Sequence, residues 1–224
     1  MTTTDTPTAA IDLESRGSVH VLHMRDGENR FNRAFVDGFH RALDTIESTT
    51  DPAALVVTGE GKFFSNGLDL EWMGGAGADD VGFLDDVHRL LGRVLRLDVG
   101  TVAAVNGHAF AAGAMLASAH DFRIMREDRG FWCVPEVDLG LPLTPEMFEV
   151  LDAHVPRPAL AEAALTGRRY SGPDALEAGI VDQLASENDV LDIAVAMAAD
   201  LATKDRMVVR EHKALLYGSL LTTR

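Results

Sequence analysis

The sequence predicts a single α/β domain in which crossover units stack as a spiral. Strand-like apolar runs alternate with helical patterns up to about residue 144, and the chain beyond is mainly helical. Two of the apolar runs break at glycine and pass directly into a helix. Because the first N–H groups of a helix have no partner inside it, each of these turns should leave backbone donors free.

The early elements follow from β-branched content and apolar spacing. Residues 18–24 are strand-like, and residues 33–46 repeat apolar positions at helical spacing, with Asn32 as a suitable N-cap. Residues 54–58 are short and wholly apolar, which indicates a strand buried on both faces. A further helix is predicted over residues 80–97. Its apolar positions are Val81, Leu84, Val87, Leu91, Val94 and Leu95.

The later elements are shorter. Residues 102–105 form a predicted strand that leads into the second glycine turn and a small-residue helix at 111–119. Two more short strands are predicted at 122–125 and 131–134. The pattern is helical beyond Thr144, apart from a brief extended piece at 180–181, and it ends in two amphipathic helices over residues 189–221.

One loop allows two interpretations. Residues 74–78 carry three glycines in the sequence Gly-Gly-Ala-Gly-Ala, between a short helix and a longer one. A loop of this composition close to a site could be a mobile lid. The alternative is a solvent loop that only connects the two helices, and typical loop lengths favour it.

Composition restricts the class of protein. A chain of 224 residues suffices for one domain and is too short for two with a linker, and 46% hydrophobic with 25% charged residues is typical of a soluble globular protein. We expect residues 1–9 to be a disordered tail and residues 10–224 to form the domain. A single cysteine and the lack of a secretory signal favour a reducing compartment, which we take to be the cytoplasm.

The charge balance excludes some partners. The net charge of −15 opposes binding to nucleic acid or to an anionic membrane surface, and no apolar run reaches the roughly 20 residues of a membrane span. The negative electrostatic potential of the protein also disfavours binding of other polyanions, unless basic groups and backbone amides near the site offset it. The spacing of histidine, cysteine and acidic residues predicts no metal site.

The glycine turns carry motifs that resemble a known family. Residues 64–70 (Phe-Ser-Asn-Gly-Leu-Asp-Leu) and 104–113 (Ala-Val-Asn-Gly-His-Ala-Phe-Ala-Ala-Gly) resemble the two substrate loops of the enoyl-CoA hydratase/isomerase (crotonase) superfamily. The resemblance continues at residues 118–124, 135–141 and 175–182, and it covers about residues 11–217. It implies a crotonase-like spiral of β-β-α units over about residues 10–185, followed by C-terminal helices, about 186–224, that join subunits into homotrimers or hexamers.

The resemblance also implies a site for an acyl-CoA thioester. The oxyanion hole would consist of the backbone N–H groups of Leu68 and Ala112, because preorganised donors stabilise an enolate more than a neutral thioester. Coenzyme A belongs to the substrate, so no separate cofactor and no metal are expected. Other residues predicted to bind the substrate are Arg30, Phe31, Ser65, Asn66, Gly67, Asp69, Leu70, Gly113 and Met115.

Glu136 is the candidate general base. It follows Pro135 within an apolar run, and an apolar setting raises the pKa of a carboxyl group toward the working pH. It also matches the catalytic glutamate of the superfamily. The alternative is a structural, half-buried glutamate that pairs with Arg123 or Arg126. Two sets of amide donors and one carboxylate would suit removal of a proton from the carbon beside a carbonyl group.

Met115 stands where hydratases of the superfamily carry a second glutamate. A thioether cannot take a proton from water, so the sequence favours isomerisation of a 3-enoyl-CoA to the trans-2-enoyl-CoA in fatty-acid β-oxidation. The motifs look closest to single-glutamate isomerases of plant peroxisomal type. Met115 itself could line an acyl tunnel or belong to the helix core.

Two rival functions stay open. One is hydration or another crotonase-type reaction of an acyl-CoA, with a second acid supplied by Glu71, Glu146 or Glu149. The other belongs to a different class, a catalytically silent subunit that binds acyl-CoA. The second rival predicts binding without turnover and no effect of Glu136→Gln.

Overall fold

The structure is a computed structural model that describes residues 10–218, so the predicted tail at residues 1–9 lies outside the described part. A six-stranded sheet forms the centre, in the order β1-β2-β3-β5-β7-β9. β1 is antiparallel to β2, and the remaining neighbours are parallel. Its strands are β1 (Ile11–Arg16), β2 (Val19–Met24), β3 (Ala54–Gly59), β5 (Gly100–Val105), β7 (Phe122–Arg126) and β9 (Gln183–Ala185).

A second, three-stranded parallel sheet lies beside it. It consists of β4 (Phe63–Ser65), β6 (His108–Phe110) and β8 (Trp132–Cys133). Each of its strands follows a strand of the large sheet and precedes a helix, so the chain repeats a β-β-α unit three times. This arrangement confirms the predicted α/β spiral.

Ten helices complete the described part of the chain. Their bounds are α1 (Arg33–Ser48), α2 (Leu70–Gly74), α3 (Phe83–Arg96), α4 (Ala112–Ser118), α5 (Glu136–Leu139), α6 (Pro145–Asp152), α7 (Arg157–Thr166), α8 (Gly172–Glu177), α9 (Val190–Leu201) and α10 (Arg206–Tyr217). None of these helices is long and apolar enough to cross a membrane.

The core has two parts, one on each face of the large sheet. On one face, α9 packs its small side chains, such as Ala194 and Ala198, against β2, β3, β5 and β7. The other face carries the larger cluster, to which α1, α3 and α4 contribute. The strands between these two layers are wholly buried, as β3 and β5 show along their full length.

The helix predicted at residue 80 begins three residues later, at Phe83. Val81, which the spacing placed on its buried face, is 98% exposed. The cause lies in the loop before the helix. Asp80 accepts two hydrogen bonds from the Arg33 guanidinium, at 2.8 and 2.9 Å, and this pairing holds the chain away from a helical course.

Contacts of Trp72 and Arg33 also hold the glycine loop at residues 74–78 against neighbouring elements. The Gly77 N–H donates to the Trp72 carbonyl at 2.7 Å, and Trp72 packs edge-on against Phe83 at a centroid distance of 4.8 Å. Arg33 also bonds Asp86, on α3. The loop is therefore attached at both ends to neighbouring elements, which agrees better with a connecting loop than with a free lid.

Candidate active site

The two glycine turns lie side by side because one asparagine connects them. Asn106 follows β5, and its side-chain carbonyl accepts a hydrogen bond from the Gly59 N–H at 2.9 Å. Its amide group donates to the Gly61 carbonyl at 3.2 Å, in the loop before β4. The carboxyl ends of β3 and β5 are thereby held together, and the segments that follow them reach the same edge of the sheet.

Gly67 brings the first turn into contact with the start of α4. Its φ of +82° lies in the left-handed region, and a Cβ atom placed there would be 2.8 Å from Ala111 Cβ and 3.1 Å from Ala112 N. Glycine is required for this conformation and this close approach. Since Leu68 directly follows Gly67, the Leu68 and Ala112 N–H groups belong to adjoining stretches of backbone.

The fold leaves both N–H groups free. Phe31 pairs with Leu68 in an isolated parallel bridge, in which the Phe31 N–H donates to Gly67 O and the Asp69 N–H donates to Phe31 O. In that pattern the Leu68 N–H points away from Phe31 and takes no part in the bridge. Ala112 is the first residue of α4, where an N–H has no acceptor within the helix. Within residues 10–218 neither group donates to another protein atom.

Ala111 turns the backbone into α4 through a strained conformation. Its φ of 51° and ψ of −124° lie in a region that residues other than glycine rarely adopt. The hydrogen bond from its N–H to Cys133 O, at 3.0 Å, anchors it to the small sheet. Strain of this kind persists where the surrounding structure enforces it, and it is concentrated at functional sites.

Glu136 opens α5, directly after Pro135, and its side chain is buried. Its Oε2 atom has no hydrogen-bond partner among the described residues. Burial away from water raises the pKa of this carboxyl group above its ordinary value of 4.5, although a backbone hydrogen bond opposes the shift. A buried carboxyl group with a free oxygen and a raised pKa has the properties of a general base.

The proposed arginine partners of Glu136 bind other groups. Arg123 donates to Asp182 at 2.8 Å, and Arg126 donates to Asp128 at 2.7 Å and to Glu187 at 2.6 Å. The structural alternative for Glu136, an ion pair with either arginine, is therefore wrong.

Glu136 lines one cavity of about 500 Å³ together with Leu68 and Ala112, the residues that carry the two free N–H groups. Its wall is mainly apolar, and among the described residues Glu136 is the one carboxylate in it. Glu71, Glu146 and Glu149 do not reach the wall. The lining residues are Arg30, Asn66, Leu68, Leu70, Met73, Leu84, Phe110, Ala111, Ala112, Cys133, Pro135, Glu136, Leu139, Leu141, Pro142, Thr144, Met147 and Arg169.

Three further residues that the sequence assigned to the substrate also line this cavity. They are Arg30, Asn66 and Leu70. Arg30 forms an ion pair with Glu28, and Glu28 also accepts a hydrogen bond from Asn66 Nδ2 at 2.8 Å. The Arg30 guanidinium is therefore already partly neutralised at the edge of the cavity.

The remaining predicted residues lie behind the wall and shape it. Phe31 is fully buried and stacks on Phe35. Ser65 donates to the Asn29 carbonyl at 2.7 Å and accepts from the Gly67 N–H, so its hydroxyl supports the first turn. Asp69 caps α2 by accepting from the Trp72 N–H. Gly67, described above, joins the two turns.

Two predicted residues belong to the interior of α4. A Cβ atom on Gly113 would lie 2.3 Å from Ser65 O, so this glycine lets α4 pack against the first turn. Met115 is fully buried in the main core and is not part of the cavity wall. The structure thus places Met115 in the helix core, the second of the two positions that the sequence allowed.

Sequence reasoning missed several groups in the wall. Met73, Leu84 and Met147 come from α2, α3 and α6, so only the tertiary structure brings them together. Arg169 lies over the Phe110 ring at 5.6 Å and adds a cation to the cavity. Apolar spacing gave the signal for Leu84, but it could not distinguish a core position from a cavity wall.

The fold and the site together define a class of protein. Two free N–H groups on adjoining turns and one buried carboxylate, held by a spiral of β-β-α units, are the groups that stabilising an enolate and moving a proton beside it require. No group of three or more potential metal ligands is found in the described part of the chain.

The chain belongs to the enoyl-CoA hydratase/isomerase family, whose profile matches residues 14–220. It is 37% identical over 205 residues to enoyl-CoA delta isomerase 3 of Arabidopsis thaliana, covering 86% of this chain and 84% of that one. It is 36% identical over 204 residues to the peroxisomal enoyl-CoA delta isomerase 2 of the same plant, covering 86% and 85%.

Solved structures agree with this assignment. The fold is similar to that of an enoyl-CoA isomerase of Mycobacterium tuberculosis, with a TM-score of 0.86, 27% identity, and coverage of 94% of this chain and 92% of that chain. It is also similar to an enoyl-CoA hydratase from Mycobacterium marinum, with a TM-score of 0.85, 26% identity, and coverage of 93% and 92%.

Proposed function

We propose that this protein isomerises 3-enoyl-CoA esters to trans-2-enoyl-CoA esters in fatty-acid β-oxidation, with Glu136 as the base. The observation that supports it most strongly is that one buried carboxylate lines the same cavity as Leu68 and Ala112, whose N–H groups are free. The relatives named as enoyl-CoA delta isomerases support the same reaction.

The proposed mechanism moves one proton along one face of the acyl chain. The thioester oxygen accepts hydrogen bonds from the Leu68 and Ala112 N–H groups, and the Glu136 carboxylate removes a proton from C2. The C2–H electron pair becomes part of a dienolate, whose charge the two donors stabilise. Glu136 then returns the proton to C4, and the double bond is left between C2 and C3.

The mechanism needs no cofactor, because coenzyme A is part of the substrate. Arg30 and Arg169 are two basic residues in the cavity wall that can face its phosphates. Arg169 offsets the net charge of −15 locally, whereas Arg30 already pairs with Glu28. Met115 and the other buried residues of α4 keep the Ala112 donor in place rather than touching the acyl chain.

Assembly and location are also proposals. The C-terminal helices α9 and α10 would join copies of the chain into a homotrimer or a hexamer, since α10 exposes Met207, Leu215 and Leu216. The single cysteine, Cys133, is buried and has no partner for a disulfide within the chain, which is compatible with a reducing compartment such as the cytoplasm. The acidic net charge supports a protein without nucleic-acid or membrane partners.

An absorbance assay tests the reaction. The purified protein is given a 3-enoyl-CoA, and formation of the conjugated thioester is followed in the ultraviolet. We expect absorbance to grow, and we expect Glu136→Gln to lower kcat by about 10³ or more. The matched control is Glu149→Gln, on α6 and outside the cavity wall.

Two outcomes would contradict the proposal. Conjugation that survives in Glu136→Gln would mean that another group is the base. Tight binding of the ester without any turnover by the wild-type protein would support the silent binding subunit instead.

A further inference from the structure

Helix α4 ends among buried groups, and a histidine from another part of the chain holds its last carbonyl group. All 7 residues of α4 are buried, so water cannot satisfy the carbonyl groups that the end of a helix leaves without N–H partners. The Nδ1 atom of His154, in the loop between α6 and α7, lies 2.8 Å from the Ser118 carbonyl oxygen. Within residues 10–218 no other group donates to this oxygen. The last carbonyl group of α4 therefore depends on His154.

The hydrogen bonds of His154 determine which ring nitrogen carries the hydrogen. A carbonyl oxygen can only accept, so Nδ1 carries the hydrogen and donates it to Ser118 O. Nε2 then accepts from the hydroxyl group of Tyr217, on α10, at 2.8 Å. Burial lowers the pKa of His154 to about 4, and the nearby Arg123 guanidinium acts in the same direction. The neutral ring thus has one partner on each side, α4 at Nδ1 and α10 at Nε2.

The other end of α4 needs support because the turn that precedes it is strained. Ala111, with its φ of 51° and ψ of −124°, has a conformation that persists only where the surrounding structure enforces it. The next residue, Ala112, carries the N–H group assigned to the oxyanion hole. Gly113 packs this end of α4 against Ser65, and His154 holds the opposite end. If the opposite end were released, a shift of the helix would relax Ala111 and turn the Ala112 N–H away from the cavity.

We propose that His154 is a positioning residue of the active site, which acts through Ser118 and α4 to keep the Ala112 N–H directed at the thioester oxygen. His154 is not part of the cavity wall, so the helix transmits its effect. The path is short, because 7 residues at about 1.5 Å per residue make α4 roughly 10 Å long. The inference rests on the proposed function for the role of Ala112 as an oxyanion donor.

Two substitutions of His154 separate the two hydrogen bonds of its ring. His154→Asn keeps an N–H group near the position of Nδ1, so it retains the bond to Ser118 O and loses the bond to Tyr217. His154→Gln places its amide near the position of Nε2, so it retains the contact with Tyr217 and loses the bond to α4. Each variant therefore loses one hydrogen bond. Tyr217→Phe is the control, because it removes only the bond on the α10 side.

We expect His154→Gln to lower kcat for a 3-enoyl-CoA about tenfold or more and to leave KM unchanged, because an oxyanion donor acts mainly in the transition state. The conservative variant His154→Asn should restore kcat, and Tyr217→Phe should not lower it. The two His154 variants should melt at similar temperatures, since each loses one hydrogen bond. A purely structural role would affect kcat of His154→Asn and His154→Gln alike.

A second measurement does not depend on isomerisation. Hexanoyl-CoA has no double bond in its acyl chain, and hydrogen bonds to its thioester carbonyl group lower the C=O stretching frequency of the bound ester. Difference infrared spectra should show a shift to lower frequency with the wild-type protein and with His154→Asn. The shift should be smaller with His154→Gln, because the Ala112 donor is then misdirected.

The outcomes separate this inference from the proposed function. Isomerisation with equal kcat values in His154→Asn and His154→Gln, or equal infrared shifts in these two variants, would overturn the role of His154 and leave the isomerase standing. A carbonyl shift that depends on the Nδ1 side of His154, in a wild-type protein that does not isomerise, would support the positioning role and refute the isomerase. The absence of both isomerisation and a carbonyl shift in the wild-type protein would refute both proposals.

Discussion

A carboxylate that takes a proton and then returns it must be ionised when the substrate arrives. Burial raises the pKa of Glu136, because the charged form loses its hydration and no protein donor replaces the water at Oε2. The raised value brings the acidity of the base closer to that of the enolising carbon. In the proposed mechanism, the same burial that suits Glu136 to act as a base also limits the pH range in which it can do so.

The pH profile of kcat/KM tests this argument. Since Glu136 must be ionised, kcat/KM for a 3-enoyl-CoA should fall about tenfold per pH unit as the pH drops below its raised pKa. The acid limb should therefore begin above pH 4.5, the ordinary pKa of a glutamate. Steady-state kinetics between pH 4 and 9 will show where this acid limb begins, and circular dichroism will confirm that the protein stays folded. A profile that is flat down to pH 4.5 would contradict the raised pKa.

Gly67 is the residue on which the two proposed oxyanion donors most depend. Gly67→Ala places a methyl group 2.8 Å from Ala111 Cβ and imposes the left-handed φ of +82° on alanine. We expect an unfolding free energy lower by about 1–3 kcal/mol and a kcat lower by about 10² or more, because the turns must separate. Denaturant melts and the absorbance assay measure the two effects.

Gly61→Ala is the matched control for this substitution. Gly61 has a similar φ of +67°, but a Cβ atom there meets nothing within 4 Å. Gly61→Ala should therefore lower the unfolding free energy, because alanine is disfavoured at this φ, without lowering kcat. Equal losses of kcat in the two variants would mean that the contact between the turns does not position the donors.

At the scale of elements, the C-terminal helix is attached to the core by a buried lysine. Lys213 of α10 donates to the Val99 carbonyl at 2.9 Å and pairs with Asp121 at 2.7 Å. Asp121 also accepts hydrogen bonds from Thr101 N and Oγ1, so the pair links α10 to the start of β5. Removing one partner of a buried ion pair is destabilising because the other charge is left uncompensated.

Lys213→Met should therefore lower the unfolding free energy by about 3–5 kcal/mol, although methionine keeps most of the buried volume. Urea denaturation gives the measurement. Lys204→Met, at an exposed position between α9 and α10, should change it by less than about 0.5 kcal/mol. A loss below about 1 kcal/mol in Lys213→Met would show that α10 depends on apolar packing alone.

The elements that the sequence predicts well are those with a strong apolar period. Helix α1 and strands β2, β3 and β5 lie within two residues of their predicted bounds. Strand β1 was not predicted, because three of its six residues are exposed and the others are only half-buried. Strand β9 was placed at residues 180–181 instead of 183–185, since Ile180 and Val181 are apolar core residues outside the sheet.

The sequence predicted only those site residues that lie within a recognisable local motif. The glycine turns and Glu136 follow from local sequence, and the structure brings them to one cavity. Met73, Met147 and Arg169 come from separate elements and have no local signature, so only the tertiary packing brings them to one cavity. Residues 1–9 and the division of the chain at about residue 185 stay predictions.

At the scale of the whole molecule, α10 carries a group of largely exposed apolar side chains on the described surface. On α10, Met207 is 63% exposed, Leu215 is 85% exposed and Leu216 is 65% exposed, while Lys213 and Tyr217 face the core. Val208 and Leu215 lie seven residues apart and share one face of α10, and Met207 and Leu216 flank that face. A second copy of the chain would remove this apolar area from water at about 25 cal/mol per Å².

We therefore expect a trimer or hexamer that depends on this face of α10. Light scattering coupled to gel filtration should give three or six chain masses for the wild-type protein, and Leu215→Lys together with Leu216→Lys should shift it to the monomer. Leu165→Lys on α7 is the control, because Leu165 is also 76% exposed but lies on another helix. If the wild-type protein is monomeric, or if only Leu165→Lys dissociates it, α10 is not the contact that assembles the molecule.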